Sequence, residues 1–186
     1  MSTLPLTFTL TTPRLVLRRP LESDVPHIFS ATRYAGFNDG MLWEPPEKIE
    51  DMKDSISNSL KPWKSGQGYN FSIDERETGE FLGRISIRQE KEIDRWNIGF
   101  WTHPVHQGKG IMTEAAGAVI ELGFETLGAQ EITACHAIWN KASESVLIKI
   151  GMRFVEYLEQ GFQKRGEWVA ENLLMIDKKT FQGLSR

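Results

Sequence analysis

The sequence predicts an α+β fold, a single domain in which helices flank a mixed, mostly antiparallel central sheet. Two observations lead to this prediction. Strand-like alternation and helical spacing of apolar residues interchange along the chain, and three strand patterns follow one another in its middle. With 186 residues, 40% hydrophobic and 25% charged, the chain also has the size and composition of one globular domain, which we assign to residues 1–186.

Runs of alternating or continuously apolar residues predict the strands. They cover residues 10–19, 69–74, 81–89, 95–103, 131–139, 153–159 and 168–177. Helical spacing or helix-start chemistry predicts helices that begin after residues 22–24 and that cover residues 46–63, 110–127 and 140–150. The connection from strand 95–103 through the long helix to strand 131–139 has the length of a parallel crossover.

The most informative segment is Gln107-Gly108-Lys109-Gly110-Ile111-Met112-Thr113. It follows a predicted strand and opens the long helix, where backbone N–H groups lack partners and the helix dipole is positive. Glycines in front of such a helix let a phosphate approach the backbone closely. The segment therefore predicts an anion site, best suited to a pyrophosphate.

Two nucleotide-binding motifs fit this segment poorly. The Rossmann fingerprint needs a third small residue where Thr113 stands, and an acidic residue at the end of the next strand. The Walker loop needs Ser or Thr after its lysine, whereas Gly110 follows Lys109.

Charge and cysteine content exclude several other classes of function. The net charge of -3 gives no general attraction to nucleic acid or to an anionic membrane. The single cysteine, Cys135, allows no intrachain disulfide, and its spacing from His106 and His136 does not make a metal site. Because no signal peptide or membrane-spanning apolar run is visible, we expect a cytoplasmic protein.

Several motifs in this order resemble the GNAT acyl-CoA N-acyltransferases. Residues 107–111 match the family's pyrophosphate loop, although Met112 stands at its small last position. Five segments together are similar to the branch of the family that contains the ribosomal-protein N-terminal alanine and serine acetyltransferases. They are the glycine loop, Thr12-Pro13-Arg14 with the strand after it, Asn140-Lys141-Ala142-Ser143, Lys149-Ile150-Gly151-Met152 and Gly166-Glu167-Trp168. The resemblance extends from Thr12 to about Asp177.

The resemblance implies acetyl-CoA as the co-substrate and direct attack by the acceptor amine in a ternary complex. Backbone N–H groups from Gly108 to Thr113, with the Thr113 hydroxyl, would bind the pyrophosphate beside Gln107. Trp101 and Thr102 would lie at the strand edge along which pantetheine runs, although Trp101 fits a packing role equally well. The family also carries a bulge in this strand, which splays it from its parallel neighbour.

The proposed catalytic residues follow from the same resemblance. Ser143 would protonate the departing thiolate, and the alternative is a hydroxyl satisfied by its own helix. Asn140 would contact the cofactor, cap a helix, or do both. Glu159 and Glu167 are the candidate general bases, and Glu90, Glu92 and His103 are the alternatives.

The expected acceptor is the N-terminal α-amine of a ribosomal or other protein. About a tenth of an α-amine with a pKa near 8 is neutral at pH 7, so the absence of a strong candidate base suits this acceptor better than a lysine. A small amine remains open, because Glu44, Glu47, Glu50 and Asp51 could form an acidic pocket for a polyamine. The third possibility is a CoA-binding sensor without turnover. We expect a monomer or homodimer, with no metal.

Overall fold

The chain forms one sheet and five α-helices, which we describe from a computed structural model covering residues 3–92 and 94–184. The strands are β1 (Leu10–Thr11), β2 (Leu15–Arg18), β3 (Gly68–Glu75), β4 (Phe81–Gln89), β5 (Arg95–Thr102), β6 (Glu131–Ala137), β7 (Arg153–Lys164) and β8 (Glu167–Asp177). The helices are α1 (Val25–Ala31), α2 (Ser55–Ser65), α3 (Ile111–Glu125), α4 (Lys141–Lys149) and α5 (Lys178–Leu184).

The strands lie in the order β1-β2-β3-β4-β5-β6-β8-β7. Within the described residues, β5 and β6 form the one parallel pair, and α3 connects them. The predicted α+β class, with a mostly antiparallel sheet and one crossover through the long helix, is confirmed. None of the helices in this part of the chain combines the length and hydropathy needed to cross a bilayer.

Four predicted elements differ in their bounds from those observed. The strand predicted at 10–19 is a hairpin, because the Thr12 N–H bonds to the Leu15 carbonyl (2.9 Å) and turns the chain at Pro13. The helix predicted at 46–63 is a 3-10 turn at Ile49–Met52 followed by α2. The last two strands are longer than predicted, because Arg165 and Gly166 make a tight turn with φ of 52° and 85°.

The C-terminal helix α5 was not predicted from the sequence. Its polar composition hides it, but Phe181 packs on Phe124 of α3 with ring centroids 5.0 Å apart. Tertiary contact therefore stabilises a helix that has little amphipathic pattern of its own.

One face of the sheet, the α3 face, is covered by α3 and α4, which contact each other. The predicted apolar stripe of α3, Ile111, Ala115, Val119 and Leu122, is buried there. Gly123 completes the contact, since a Cβ at this position would lie 2.7 Å from Cδ1 of Ile132 on β6. The long helix is therefore held tightly against the strand that follows it.

The opposite face, the α1 face, carries α1 and the start of α2 over a smaller apolar cluster. Ile28, Met52, Ile56 and Phe81 form this cluster, and Trp101 of β5 packs against it. Because side chains alternate along a strand, Arg95, Asn97 and Gly99 of β5 lie on the same α1 face as Trp101.

A buried ionic network fixes the start of α1 on this face. Arg18 bonds both Asp24 (2.8 Å) and Asp74 (3.0 Å), and the Ser72 hydroxyl donates to Asp24 (2.6 Å). Burial alone would raise the pKa of Asp24, but the hydrogen bonds from Arg18 and Ser72 outweigh burial and hold it below its usual value. The network joins β2 and β3 to Asp24, the residue that precedes α1.

Gly83 on β4 provides a test of the close approach of β4 and β5. A Cβ there would lie 2.9 Å from Cα of Thr102, and the Trp101 carbonyl oxygen would be closer still. Because backbone atoms cannot rotate away, we expect Gly83→Ala to lower the free energy of unfolding by about 1–3 kcal/mol. Urea unfolding measures this change, and an unchanged midpoint would contradict the close approach.

The matched control for Gly83→Ala is Gly117→Ala on α3. A Cβ at Gly117 would meet no neighbouring atom within 4 Å. Because alanine favours a helix over glycine by about 1 kcal/mol, this variant should be as stable as the wild type or more stable.

Candidate active site

The parallel pairing of β5 and β6 stops after three residue pairs. Arg95, Trp96 and Asn97 pair with Glu131, Ile132 and Thr133. Beyond them β5 continues to pair with β4 as far as Thr102, and β6 continues to pair with β8 as far as Ala137. A gap, the β5–β6 gap, therefore opens between residues 98–102 and residues 134–137, and the expected splayed pair is confirmed.

The bulge expected in β5 is not present in its pairing with β4. These strands keep one register from Gly83 opposite Thr102 to Gln89 opposite Trp96. Side-chain bonds close the narrow end of the gap instead: the Asn97 amide donates to Thr133 Oγ1 (3.1 Å), and that hydroxyl donates to Glu90 (2.9 Å). The strands thus separate immediately after the pair Asn97 and Thr133, whose side chains are hydrogen-bonded to each other.

The glycine-rich loop lies at the wide end of the gap. After β5 the chain makes a 3-10 turn at Pro104–His106, passes through Gln107 to Gly110, and enters α3 at Ile111. Gly108 and Gly110 have φ of 77° and 74°, a region that other residues occupy only at a cost of about 1–2 kcal/mol. Both glycines therefore adopt backbone conformations that favour glycine, as expected for a tight loop before a helix.

The loop leaves space for an anion. Residues 107–110 are exposed, and a Cβ at Gly108 would meet no atom within 4 Å. The N–H groups of Ile111, Met112 and Thr113 form the first turn of α3, where the helix itself offers no acceptor. These features fit a pyrophosphate bound by backbone donors.

The side chains of the predicted loop residues divide into two groups. Ile111 and Met112 are 8% and 5% exposed, so only their backbone can face a ligand, and Met112 fills core space in place of a small residue. Gln107 donates weakly to the Thr102 carbonyl (3.4 Å), while the Lys109 side chain is exposed. Thr113 is half-buried.

Arg14 and Glu114, which sequence reasoning missed as a pair, hold the loop in place. Glu114 accepts from the Arg14 guanidinium (2.6 Å), the Arg14 N–H (3.0 Å) and the Thr12 hydroxyl (2.6 Å). Arg14 also donates to the Lys109 carbonyl (3.0 Å). Partial burial would raise the pKa of Glu114, but the hydrogen bonds from Thr12 and Arg14 outweigh burial and lower it.

The predicted Asn140 and Ser143 lie beyond the other strand of the gap, at the start of α4. The Asn140 side-chain oxygen accepts from the Ser143 N–H (3.1 Å), which confirms the helix-cap interpretation. Ser143 is half-buried, and Leu147 one turn later is 1% exposed, so the serine lies on the inner side of α4.

A loop of residues 37–44, the roof loop, crosses the α1 face of the gap from β5 to β7. At one end Phe37 packs edge-on against Trp101, with ring centroids 5.3 Å apart. At the other end Lys164 of β7 donates to the Met41 and Trp43 carbonyls (2.9 Å each) and pairs with Glu44 (3.1 Å). Trp101 is thus a packing residue that anchors the roof loop.

A cavity of about 340 Å³ opens where the roof loop meets the tip of the β7–β8 hairpin. Its walls carry both signs of charge and two tryptophans: Asp39, Trp139, Lys164, Arg165, Glu167, Trp168 and Val169. Glu167 is therefore at this cavity, while Glu159 is an exposed residue of β7. A larger cavity, about 580 Å³, lies at the far end of β4, at Gln67 and Gln89 to Glu92, away from the glycine loop.

The other titratable candidates are engaged elsewhere or are uncharged. His103 lies beneath α1 and contacts Ser30 (3.4 Å), and burial and nearby histidines lower its pKa. Burial together with Glu171 and Glu90 raises the pKa of Cys135 to about 12, so the thiol is neutral at physiological pH. Among the described residues, no three potential ligands lie close enough together to hold a metal ion.

Comparison with known proteins identifies the chemistry of such a site. A family model described as an acetyltransferase (GNAT) domain matches residues 14–153. The uncharacterized N-acetyltransferase YoaA of Bacillus subtilis (strain 168) is 29% identical over 176 residues, which cover 91% of this chain and 96% of YoaA.

Two solved structures share the fold and carry different names. RimL, a ribosomal L7/L12 alpha-N-protein acetyltransferase in complex with coenzyme A, matches with a TM-score of 0.80 and 19% identity, over 95% of this chain and 98% of RimL. Spermidine N-acetyltransferase of Vibrio cholerae, with CoA and spermine, matches with a TM-score of 0.78 and 15% identity, over 92% and 99% of the two chains. At these identities the matches establish the fold alone.

The Arg14–Glu114 contact can be tested with Glu114→Gln, which keeps the size of the side chain but removes its charge. We expect Arg14 to leave the Lys109 carbonyl, the Kd for CoA to rise several-fold, and the free energy of unfolding at pH 7 to fall by about 1 kcal/mol. Calorimetric titration with CoA and urea unfolding measure the two effects.

The stability difference should depend on pH in a defined direction. Because the pKa of Glu114 is lower in the folded state, its contribution is complete above the pKa of an ordinary glutamate and is lost as the pH falls through the folded pKa. The wild type and the variant should therefore converge in acid. Glu121→Gln, at an exposed position of α3, is the control. A difference that persisted in acid would refute the role of the Glu114 charge.

Proposed function

Because the chain belongs to the GNAT acetyltransferases and is an acetyl-CoA-dependent N-acetyltransferase, we propose that its acceptor is a protein N-terminal α-amine. In this proposal the amine attacks the thioester directly in a ternary complex. The N–C bond forms through a tetrahedral intermediate, the C–S bond breaks, and CoA leaves as a thiol.

The donor half of the site is built from backbone. N–H groups from Gly108 to Thr113 would bind the pyrophosphate, with the Arg14–Glu114 contact holding the loop in shape. The pantetheine arm would enter the β5–β6 gap, where the backbone of residues 98–102 has no partner strand on the β6 side. An N–H at this edge would stabilise the oxyanion of the intermediate.

The acceptor assignment rests mainly on the charge balance of the cavity beneath the roof loop. A polyamine needs several unpaired carboxylates, yet Glu44 pairs with Lys164 and Arg165, and the Asp51 carboxylate accepts from the Lys48 N–H (3.1 Å). The cavity walls carry two acidic residues, Asp39 and Glu167, two basic residues, Lys164 and Arg165, and the tryptophans Trp139 and Trp168. Mixed charge with aromatic surface suits a peptide terminus better than a polycation.

The chemistry of the acceptor points the same way. An α-amine has a pKa near 8, so about a tenth of it is neutral at pH 7, and it needs less help from a base than a lysine. A ribosomal-protein N-terminus in the cytoplasm is the acceptor we propose, in keeping with the name of the RimL match.

A small-molecule amine is the second candidate function. It is supported by the match to the spermidine N-acetyltransferase, whose fold this chain shares at a TM-score of 0.78. A CoA-binding sensor without turnover is the third candidate, and the predicted thiolate donor Ser143 together with the glycine loop argue against it.

An acceptor panel separates these functions. We expect acetyl-CoA turnover with peptides that begin with Ala or Ser, and at least about tenfold lower kcat/KM for spermidine, a difference of about 1.4 kcal/mol in transition-state binding. Thiol release measures turnover, and mass spectrometry locates the acetyl group. N-terminally blocked peptides with an internal lysine are the matched control. Faster turnover of spermidine, or CoA binding without turnover of any acceptor, would refute the assignment.

Ser143→Ala tests the proposed thiolate donor. Because general-acid help of this kind contributes about 10²-fold or more, we expect kcat at pH 7 to fall by about that factor, with the KM for acetyl-CoA little changed. Ser145→Ala, at an exposed position of the same helix, is the control and should retain wild-type kcat. An unchanged rate for Ser143→Ala across the pH range would remove Ser143 from catalysis.

A further inference from the structure

Glu171 carries a partly buried carboxylate one strand away from the β5–β6 gap. It lies on β8 directly opposite Ala137 of β6, the last paired residue of the strand that borders the gap. Paired residues of neighbouring strands point to the same face of a sheet. Cys135 lies on that face two residues before Ala137, and the Glu171 charge contributes to its raised pKa. The Glu171 side chain therefore points to the α1 face, on the same side of the sheet as the roof loop.

The β7 strand is shaped around this side chain. Leu158 pairs with Glu171 and Phe162 pairs with Val169, so residues 159–161 bulge out opposite Ala170 alone. A Cβ at Gly161, inside the bulge, would lie 2.5 Å from Cγ and 2.7 Å from Oε2 of Glu171. The absence of a side chain at Gly161 makes the room that the Glu171 carboxylate occupies.

Neighbouring charges leave this carboxylate uncompensated. Within residues 3–92 and 94–184, no lysine, arginine or histidine forms an ion pair with Glu171. The titratable groups that share its face are Cys135 and Glu131 on β6, Glu167 and Asp177 on β8, Arg153, Glu156 and Lys164 on β7, and Asp39 and Glu44 of the roof loop. Arg153 lies opposite Met175, four residues from Glu171 along β8, and its charge acts on Asp177. Lys164 is engaged with Glu44, and the Cys135 thiol is neutral.

Other carboxylates near the gap are already committed. Glu90 accepts from the Thr133 hydroxyl at the closed end of the gap and lies 4.0 Å from Arg95. Glu114 is held by Arg14 and Thr12. Glu171 is thus a partly buried carboxylate without an ion-pair partner, separated from the open part of the gap by the small residue Ala137, and burial raises its pKa.

We propose that Glu171 is the general base that accepts the proton of the acceptor amine, an assignment that rests on the proposed N-acetyltransferase function. The amine nitrogen forms its bond to the acetyl carbon and gives its proton to the Glu171 carboxylate. The carbon–sulfur bond breaks, and the thiolate takes a proton from the Ser143 hydroxyl, which solvent replenishes. Glu171 lies on the α1 face of the sheet, and Ser143 belongs to α4, which covers the α3 face. One proton would therefore leave on one face of the sheet while another arrives from the other face.

Glu171→Gln is the direct test, made on the full chain with a peptide acceptor of the panel above. We expect kcat/KM at pH 7 to fall about 10²-fold or more, with the Kd for CoA unchanged. The acid limb of the wild-type pH profile should lie above the pKa of an ordinary glutamate, because the carboxylate form is required and is lost as the pH falls. The deficit of the variant should shrink as the pH rises through the pKa of the amine, since the free amine needs less help.

Glu156→Gln is the matched control, an exposed carboxylate on the same face of β7, and should keep the wild-type profile. Glu159→Gln and Glu167→Gln belong in the same series, and a loss confined to either would overturn the assignment to Glu171. A Glu171→Gln enzyme with an unchanged pH profile would do the same. If the wild type acetylates no amine, the proposed function itself fails, which is a distinguishable result.

Gly161→Ala gives a second measure that leaves the carboxylate in the chain. The added methyl group must displace the Glu171 side chain, and it would also lie 2.9 Å from Cβ of Glu171. We therefore expect kcat to fall and the urea midpoint to drop modestly, while the Kd for CoA changes little. Restored activity at high pH is expected here as well. A Gly161→Ala enzyme that kept the wild-type kcat at pH 7 would show that the position of the Glu171 carboxylate is immaterial, and would overturn the proposal.

Discussion

The candidate site depends on one constraint: the parallel hydrogen bonding between β5 and β6 ends after only a few residues. Three residue pairs join β5 to β6, and then each strand continues with a different antiparallel neighbour. Unpaired backbone buried between strands is costly, so such a gap is stable only if a ligand or water satisfies it. The β4 and β8 partners hold the two strands in place while they diverge. The gap is thus a preformed slot lined with hydrogen-bonding groups, which is what an extended pantetheine chain requires.

Ionic contacts between distant segments set the edges of this slot. Glu114 on α3 ties the glycine loop to the β2 segment, and Lys164 on β7 ties the roof loop to the final hairpin. Each contact places a charge where a loop would otherwise be free to move. The glycine loop and the roof loop are therefore each held by contacts from distant parts of the chain. Preorganisation of this kind lowers the entropic cost of binding.

The parts of the site that could be predicted are those whose residues are close to one another in the sequence. Gly108 and Gly110 precede a helix with a strong apolar stripe, and Asn140 precedes Ser143 at cap spacing, so local geometry follows from the residues themselves. The Arg14–Glu114 pair could not be found this way, because 100 residues separate its members. Nor could Glu171, whose environment comes from a bulge in β7 and a missing side chain at Gly161.

The sequence by itself determined the order of the elements from β3 to β8, the glycine loop at the start of the long helix, and the family to which the chain belongs. These are local properties, set by backbone preferences and the spacing of apolar residues. Tertiary structure alone decided that β5 and β6 separate after Asn97 and Thr133, that the roof loop closes over the gap, and which carboxylate is left unpaired there. Each of these depends on groups from remote segments competing for the same partners, and that competition is resolved only when the chain is folded.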